Sequence, residues 1–266
     1  STPAPTQPPP STQQPSEGPI KTWSYSALRT FEACPLRTKY QRIDRVPRPE
    51  PPPDNPMVRG TRIHEEIENY IQTGANIPTP LKCDPAIIEQ CREEYLLGAA
   101  QTELAWAFDH QWNLVDDPKS PSIWFRAILD VFIQTSPTEA TVIDWKSGKS
   151  WMKDVPHLSQ AQLYTACTFR AIPELEKVTT QFVYVDEANK KTRREYSRDK
   201  AKSFEVTFHN RGLRLTTATT FNPKPNQMNC KFCDYGKTVG IGHCPYDVFR
   251  DDAIRPAAGH LRHRGA

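Results

Sequence analysis

A strand-like run that ends in charged residues constrains the fold of this chain more than any other feature. Residues 140–150 read ATVIDWKSGKS, an apolar run with an aspartate and a lysine two residues apart, followed by a serine and glycine turn. Because the side chains of a strand alternate between its faces, Asp144 and Lys146 project from the same face as Val142, about 7 Å apart. A buried charge is costly without a partner. The run therefore predicts a site that requires both a carboxylate and an ammonium group.

Length and composition predict a folded, soluble, cytoplasmic protein. The 266 residues are 37% apolar and 10% aromatic, which allows one large domain or two small ones with a substantial core. The formal net charge of +3 does not by itself indicate a nucleic-acid partner. No stretch approaches the ~20 apolar residues that cross a bilayer, and no charged-then-apolar leader is present, so no membrane contact is expected.

Proline and charge patterns divide the chain. Residues 1–20 contain seven prolines among Ser, Thr and Gln and predict a disordered tail. Residues 21–250 are predicted to form one domain that carries a cysteine cluster at 230–244, and residues 251–266 a second disordered tail. A further proline cluster at 46–56 predicts an extended surface connection.

Hydrophobic periodicity predicts an α/β fold with a small central mixed sheet flanked by helices. Helices are predicted from about Tyr25, from about Thr61 to Gln72, from Asp84 through about Ala105, over 157–172, and from about Arg198 to Thr219. Strands are predicted over 122–134 and 140–145, and a hairpin with a basic second arm over 178–187 and 190–197.

Two aspartates fall on the predicted strands. Asp130 and Asp144 both lie among apolar residues, where an ionised carboxylate must be paired or bound to a metal. If their strands are neighbours, the two carboxylates converge on one hard divalent cation such as Mg²⁺ or Mn²⁺, with Lys146 beside it. The alternative is a buried Asp-Lys ion pair and a turn aspartate, which is the commoner meaning of an isolated D-x-K pattern.

Two further motifs accompany these aspartates. GTRIH places His64 four residues after Gly60 on an amphipathic helix, and QAQLY places Gln160 and Tyr164 one helical turn apart. The order G-x-x-x-H, Asp, D-x-K, Q-x-x-x-Y resembles the RecB-type nucleases of the PD-(D/E)XK superfamily, over roughly Trp23 to Phe249. The stretch SYSALRTFEACPLRTKYQ is similar to the N-terminal signature of that family.

This resemblance implies a restriction-endonuclease-like core and a role for each motif. The implied metal ligands are His64, Asp130, Asp144 and the carbonyl of Trp145. Lys146 would orient or activate the attacking water, and Gln160 and Tyr164 would support the site and contact the nucleic acid. The family usually has glycine where Ala127 stands, so a small residue is kept.

The cysteines predict a second metal centre. Seven is an odd number, and Cys230, Cys233 and Cys244 include a C-x-x-C chelate pair. Cys34 completes a set of four if the chain ends meet. The iron-sulfur nucleases of the AddAB and CRISPR-adaptation types are similar, which implies a [4Fe-4S] cluster that clasps the two ends together. Structural Zn²⁺ with either Cys34 or His243 as the fourth ligand stays open.

The other cysteines and the basic residues carry weaker signals. Cys91 and Cys167 fit helical apolar patterns and are expected to pack as small hydrophobes, and Cys83 has no assigned role. A basic arm beside the predicted site suggests a surface that follows the phosphate backbone without reading sequence. Its predicted contacts are Lys190, Lys191, Arg193, Arg194 and Arg198, and a second basic surface comprises Arg29, Arg37, Lys39, Arg42 and Arg45.

Together, these motifs and the resemblance predict a Mg²⁺- or Mn²⁺-dependent deoxyribonuclease. The expected form is an exonuclease that acts on single strands or duplex ends in DNA replication, recombination or repair, with a helicase or recombination partner. A phage origin, which would place it in the host-cell cytoplasm, stays open. The alternatives are an inactive nucleic-acid-binding module with a structural metal-cysteine site and a restriction-type endonuclease.

Overall fold

The computed structural model describes residues 17–48, 50–150 and 154–248. Its helices are α1 (Tyr25–Ala33), α2 (Pro35–Arg42), α3 (Pro56–Thr73), α4 (Pro85–Leu96), α5 (Asp154–Ala171), α6 (Arg198–Thr216) and α7 (Gln227–Lys231). Its strands are β1 (Ala100–Phe108), β2 (Phe125–Ser136), β3 (Glu139–Lys146), β4 (Lys177–Tyr184) and β5 (Lys191–Ser197).

The strands form one five-stranded mixed sheet in the order β1-β2-β3-β4-β5. Neighbours are antiparallel except β3 and β4, which run parallel from Glu139↔Lys177 to Lys146↔Tyr184. Parallel neighbours require a crossover connection, and α5 supplies it. The predicted α/β fold with a small central mixed sheet flanked by helices is confirmed.

The α3 face of the sheet forms one core. Ile63, Ile67 and Ile71 of α3 are fully buried and lie in one cluster with Ile143 and Trp145 of β3. Their spacing is the amphipathic stripe expected from the sequence. The docked stripe fixes the orientation of every other side chain on α3.

The opposite face forms a second core with α5 and α6. Leu163 of α5 and Phe208 of α6 lie in one cluster with Val142 of β3. Because Asp144 shares its strand face with Val142, β3 carries the Asp144 carboxylate to the α5 side of the sheet.

The helix predicted through Ala105 is wrong in its second half. Helix α4 ends at Leu96, and Gly98 adopts a φ of 78° before β1 begins at Ala100. A glycine in the left-handed region ends a helix without the steric cost of a β carbon. Part of the predicted helix is therefore β1, an edge strand next to β2.

The two ends of the described chain meet beside α1 and α2. Asn229 Nδ2 donates a hydrogen bond to the carbonyl oxygen of Ala33 at 2.7 Å, and Arg37 pairs with Asp234 at 3.2 Å. The C-terminal segment therefore packs on the first two helices, as the prediction of a clasp requires. A metal bound there stays a prediction.

The predicted N-terminal tail is too long by a few residues. Gly18 and Ile20 are buried, and the Gly18 N–H donates to the carbonyl oxygen of Thr216 at 2.7 Å. The remainder of that predicted tail, residues 1–16, and the predicted tail over 251–266 lie outside the described residues. In the part of the chain described, no helix has both the length and the apolar character needed to span a membrane.

Candidate active site

Three carboxylates lie in a row across three neighbouring strands. Glu103 of β1 lies between residues 102 and 104, which pair with residues 131 and 129 of β2, so Glu103 faces Asp130. Asp144 of β3 lies one step beyond the pair Val131↔Ile143 and faces Asp130 from the other side. Directly opposite residues share a face of the sheet, with β carbons about 5 Å apart. The sheet register therefore concentrates negative charge around Asp130.

His64 reaches this row from α3. Its Nδ1 lies 3.2 Å from Oδ2 of Asp130. One turn earlier on α3, a β carbon added at Gly60 would lie 3.0 Å from Oγ of Ser147, in the loop after β3. The glycine of the G-x-x-x-H motif thus permits the close approach of α3 to that loop, which sets His64 beside Asp130.

The pKa values of His64 and Asp144 are both raised. Burial opposes protonation of His64, but its hydrogen bond to Asp130 and the charges of Asp130 and Asp144 outweigh burial and raise the pKa of His64. Asp144 is only 3% exposed, and burial raises its pKa to about 6 although Lys146 opposes the shift. Protons and a bound cation would compete for these groups.

Lys146, Gln160 and Tyr164 form a connected network with Asp144. The Lys146 ammonium group forms an ion pair with Asp144 and donates to Oε1 of Gln160 at 3.0 Å. The Gln160 amide nitrogen donates to Oδ1 of Asp144 at 3.2 Å and to the Tyr164 hydroxyl at 2.7 Å. The lysine also lies 5.1 Å from the centre of the Phe182 ring. The D-x-K and Q-x-x-x-Y motifs are therefore brought together in space.

One group of three side chains in the described residues has the spacing of a metal site. One ligand atom each from His64, Glu103 and Asp130 lies within 4.8 Å of the other two. Imidazole and carboxylate donors of this kind hold divalent cations such as Mg²⁺ and Mn²⁺. Two predicted ligands, His64 and Asp130, belong to this group, and Glu103 is its third member. The predicted ligand Asp144 lies outside the group and pairs with Lys146.

The sequence motifs do not include Glu103. The residue lies in the part of β1 where the apolar pattern predicts the end of a helix, so the sequence indicates no facing partner for it. The available signal was the alternation in AQTELAWAF after Gly98, with Thr102, Leu104 and Trp106 on the less exposed side. Glu103 has a φ of 47°, a left-handed conformation that is uncommon in a strand and costs roughly 1 kcal/mol or more.

Trp145 contacts the site through its backbone. Its N–H donates a hydrogen bond to Oδ2 of Asp130 at 2.8 Å, while its side chain is 2% exposed in the core on the α3 side. This bond fixes the orientation of the Asp130 carboxylate. The role of the Trp145 carbonyl oxygen as a metal ligand stays a prediction.

Two carboxylates of the turn between β4 and β5 hold the loop that follows Lys146. Asp186 accepts hydrogen bonds from the Gly148 N–H at 2.6 Å and from both terminal nitrogens of Arg59 at 2.8 and 2.6 Å. The Arg59 guanidinium lowers the pKa of Asp186. Glu187 accepts from the Ser150 N–H. The serine and glycine turn after the D-x-K motif is therefore anchored to α3 and to the neighbouring strand.

The four cysteines predicted to bind a metal line one cavity. Cys34 lies between α1 and α2, and Cys230, Cys233 and Cys244 approach it from the C-terminal segment. His243 is not among the lining residues and packs edge-on against Tyr40, with ring centres 4.8 Å apart. No three sulfur atoms in the described chain lie within 4.8 Å of one another. Burial raises the pKa of Cys233 and of Cys244.

The remaining cysteines lie apart from this cavity. Cys91 and Cys167 are fully buried in the two cores, and burial raises the pKa of Cys91 to about 12. These surroundings fit the expected packing role. Cys83 is buried beside the start of α4.

The residues of the predicted basic arm point in different directions. Lys190 and Arg194 line a cavity with His157 and Phe182, next to the Lys146 network. Lys191 lines a separate cavity near Cys83, and Arg193 pairs with Glu195 at 3.2 Å.

Arg198 has a different environment from the rest of the arm. Its guanidinium donates to the carbonyl oxygens of Phe169 at 3.1 Å, Pro173 at 2.5 Å and Leu175. These bonds hold the C-terminal end of α5 and the loop that follows it. A phosphate contact at Arg198 would have to displace them.

Comparisons with known proteins address the identity of the fold. A comparison with curated proteins finds no match. Among solved structures, the chain is similar to SSO0001, with 15% identity and a TM-score of 0.35 over 81% of this chain and 84% of that one. It is also similar to a candidate exonuclease from Eubacterium rectale, with 12% identity and a TM-score of 0.46 over 80% of this chain and 86% of that one.

The family comparison covers most of the sequence. The sequence profile of the PD-(D/E)XK nuclease superfamily matches residues 22–238, a span that includes the whole carboxylate row, the D-x-K lysine and the sheet that carries them. On this match, the chain belongs to the PD-(D/E)XK nuclease superfamily.

Proposed function

We propose that this protein is a Mg²⁺- or Mn²⁺-dependent deoxyribonuclease of the RecB type that hydrolyses phosphodiester bonds, and more specifically an exonuclease. The observation that carries the proposal is the meeting of Asp130, Asp144 and Lys146 at one point of the sheet, within a chain of this nuclease superfamily. A structural ion pair would need only one of the two aspartates. The second carboxylate and His64 supply the additional donors that a metal requires.

The donor set fits a hard divalent cation. The proposed ligands are His64, Asp130, Asp144 and the Trp145 carbonyl oxygen. The carboxylate of Asp144 is buried, with Oδ2 in the ion pair with Lys146 and Oδ1 accepting from Gln160, so a bound cation would share its charge with the lysine. When bound, such a cation supplies Lewis acidity and lowers the pKa of a water molecule.

The residues of this chain position and neutralise the charges of the reaction. Lys146 is held between Asp144 and Gln160 and lines one cavity together with Tyr164. From there it can donate to an oxygen of a bound phosphate and offset the charge that develops during hydrolysis. Gln160 fixes the distance between the lysine and the aspartate, because it bonds to both.

Tyr164 acts as a neutral hydroxyl in this scheme. Its burial, together with the charges of Asp144 and Asp130, raises its pKa well above the usual value. The hydroxyl accepts a hydrogen bond from Gln160 and keeps its own proton available for donation. We assign it the support of Gln160 and a contact with the nucleic acid.

A [4Fe-4S] cluster held by Cys34, Cys230, Cys233 and Cys244 belongs to the same proposal. All four thiols line one cavity, which is the donor set that such a cluster uses. Structural Zn²⁺ with Cys34 as the fourth ligand would use the same four thiols and is the alternative.

The charge of the surface near the site suits a nucleic-acid substrate. Lys190 and Arg194 are the arm residues that border the site, and they suit contacts with phosphate groups that do not depend on base sequence. We propose DNA as the substrate, the cytoplasm as the location, and replication, recombination or repair as the process, with a helicase or recombination protein as a partner.

Digestion of end-labelled DNA tests the proposal. Linear and circular substrates, single- and double-stranded, are incubated with Mg²⁺ or Mn²⁺, and the products are resolved by length. Loss of terminal nucleotides from linear DNA with circles left intact is expected, and a folded Asp144→Ala variant should be inactive. Cleavage of circles would indicate an endonuclease instead. Activity that survives in the variant would exclude this site.

A further inference from the structure

Two adjoining cavities form a continuous trough that leads away from Lys146. The first, about 680 Å³, is lined by α1, the start of β2 and the α5 residues around Gln160. The second, about 650 Å³, is lined by α1, α2 and the segment up to Arg48. Ser26, Thr30 and Arg37 line both cavities. We refer to the two together as the α1–α2 trough.

The trough is strongly basic along its whole length. Its arginines are Arg29, Arg37, Arg42, Arg45, Arg48 and Arg126. Asp234 is the one acidic residue among the described residues that line it, and Arg37 and Arg48 already lie 3.2 and 3.7 Å from its carboxylate. Neighbouring cations repel one another unless an anion lies between them, so the trough is suited to a polyanion.

The apolar lining of the trough favours one strand over two. Ile128 is 52% exposed and lines the trough with Tyr25 and Leu163. Apolar groups next to arginines match a single strand, whose base faces are uncovered, whereas the base faces of a duplex are stacked on one another.

We infer that the α1–α2 trough binds one strand of DNA and delivers its phosphates to Lys146. This inference rests on the proposed function, because Lys146 belongs to the proposed nuclease site to which the strand is delivered. It assigns the main contact with the strand to α1 and α2, and only a flanking contact to the arm residues Lys190 and Arg194. Arg37 lies where the trough meets the cysteine cavity, because it lines both cavities of the trough and the cysteine cavity as well. Packing of the C-terminal segment through Asp234 therefore also shapes the trough.

Fluorescence anisotropy with a 5′-fluorescein-labelled fifteen-residue oligothymidylate in EDTA measures strand binding without cleavage. The test variant is Arg42→Glu/Arg45→Glu, since both side chains are exposed and form no ion pair with a described residue. The matched control is Lys200→Glu/Arg214→Glu on the exposed side of α6, with the same change in net charge and likewise no ion pair with a described residue. Circular dichroism melting verifies that both variants fold.

The trough variant should bind the oligonucleotide at least about tenfold more weakly at 0.1 M salt, and the control should bind within about twofold of the unmodified protein. The slope of log Kd against log salt concentration should fall by about 1.4, since each lost phosphate contact on a single strand contributes about 0.7. A duplex of the same length should bind more weakly than the single strand. Equal binding by the two variants, or a duplex that binds as tightly as the single strand, overturns the inference.

Hydrolysis of a small phosphodiester separates this inference from the proposed function. With Mn²⁺, thymidine 5′-(p-nitrophenyl phosphate) can occupy the first cavity next to Lys146 without reaching Arg42 and Arg45, which line only the second cavity. The trough variant should therefore hydrolyse it at the rate of the unmodified protein. Loss of strand binding together with retained hydrolysis supports both ideas. If the unmodified protein hydrolyses no phosphodiester although the trough variant loses strand binding, the nuclease proposal fails and the binding site remains.

Discussion

Lys146 donates a hydrogen bond from Nζ to Oε1 of Gln160 at 3.0 Å, and this bond joins the D-x-K motif to α5. The opposite end of the same amide donates to Oδ1 of Asp144 at 3.2 Å. The lysine and the aspartate are therefore held at a fixed separation by a third side chain as well as by their mutual attraction. Gln160 is a positioning residue, since its effect on hydrolysis acts through its two neighbours.

Gln160→Ala should lower kcat about 10- to 100-fold with little change in KM, as is typical when a residue that orients a site is removed. The reason is that Lys146 and Asp144 keep their ion pair but lose its alignment. Steady-state hydrolysis of a labelled oligonucleotide measures the effect. Gln162→Ala, two residues along the same helix, is the matched control and should be near normal. A Gln160→Ala enzyme with normal kcat would show that the amide does not position the lysine.

The raised pKa of Asp144 predicts a specific dependence of stability on pH. The pKa of Asp144 is about 6 in the folded state, against an ordinary value of 3.8. The folded protein therefore binds a proton at this carboxyl group more tightly than the unfolded chain does. Without metal, the free energy of unfolding should therefore increase as the pH falls from about 7.5 towards 4.5, by an amount of the order of 2 kcal/mol. Thermal melts in EDTA should show a shift of several degrees.

The Asp144→Asn variant should lose the part of that pH dependence that Asp144 contributes, because it has no carboxylate to protonate at this position, while the raised pKa of His64 contributes in the same direction. Asp199→Asn, which changes an exposed carboxylate at the start of α6, should keep it. Added Mn²⁺ should stabilise the unmodified protein more at pH 8 than at pH 5.5, since protons then compete less for the ligands. Identical slopes for the unmodified protein and Asp144→Asn would contradict the shift.

The strands that carry Asp130 and Asp144 could be predicted from sequence because their signal is local. Alternation and apolar runs show in a window of a few residues, and once β2 and β3 are neighbours the two aspartates must face each other. His64 was found through its motif. Its contact with Asp130, 66 positions further along the chain, depends on how α3 docks through Ile63 and Ile67.

Features that depend on several distant elements could not be predicted in the same way. The position of Glu103 could not be predicted, because Gly98 in the left-handed region ends α4 early, whereas the apolar pattern predicts that the helix continues. Arg198 looked like the other arm residues, but its guanidinium is occupied by carbonyl groups of the α5–β4 loop. Sequence shows which residues are charged, and only tertiary packing shows which charges remain available.

Glu103→Gln should weaken Mn²⁺ binding about tenfold while kcat at saturating metal falls less. The side chain contributes to the group of His64, Glu103 and Asp130 whose ligand atoms lie within 4.8 Å of one another, so removal of its charge lowers the attraction for a cation. A calorimetric titration of the protein with Mn²⁺ measures the affinity. Glu68→Gln is the control, because Glu68 is a nearby carboxylate that accepts from Gln72 and Thr102. An unchanged affinity in Glu103→Gln would exclude it as a ligand.

Asp186→Asn should reduce activity more than Arg59→Ala does. Both changes break the bidentate pair between α3 and the turn after β4, but only the first also weakens the acceptor of the Gly148 N–H. The loop after Lys146 then loses its anchor. A double-mutant cycle measured by thermal unfolding should give a coupling of about 0.5–3 kcal/mol between Arg59 and Asp186, since the two residues are in direct contact. Equal activity losses in the two single variants would show that the Gly148 bond is unimportant.

Cys34→Ser should release the proposed cluster of the cysteine cavity and loosen the junction of the two chain ends. Cys34 is the one cavity cysteine that comes from the N-terminal helices, so its loss removes the fourth ligand of the cluster and the link between α2 and the C-terminal segment. Protein purified anaerobically should contain iron and absorb visible light, and the variant should lose both and melt at a lower temperature. Cys167→Ser, a buried thiol in the α5 core, is the control and should keep its iron. Colourless unmodified protein with one zinc per chain would contradict the cluster and leave the clasp to zinc.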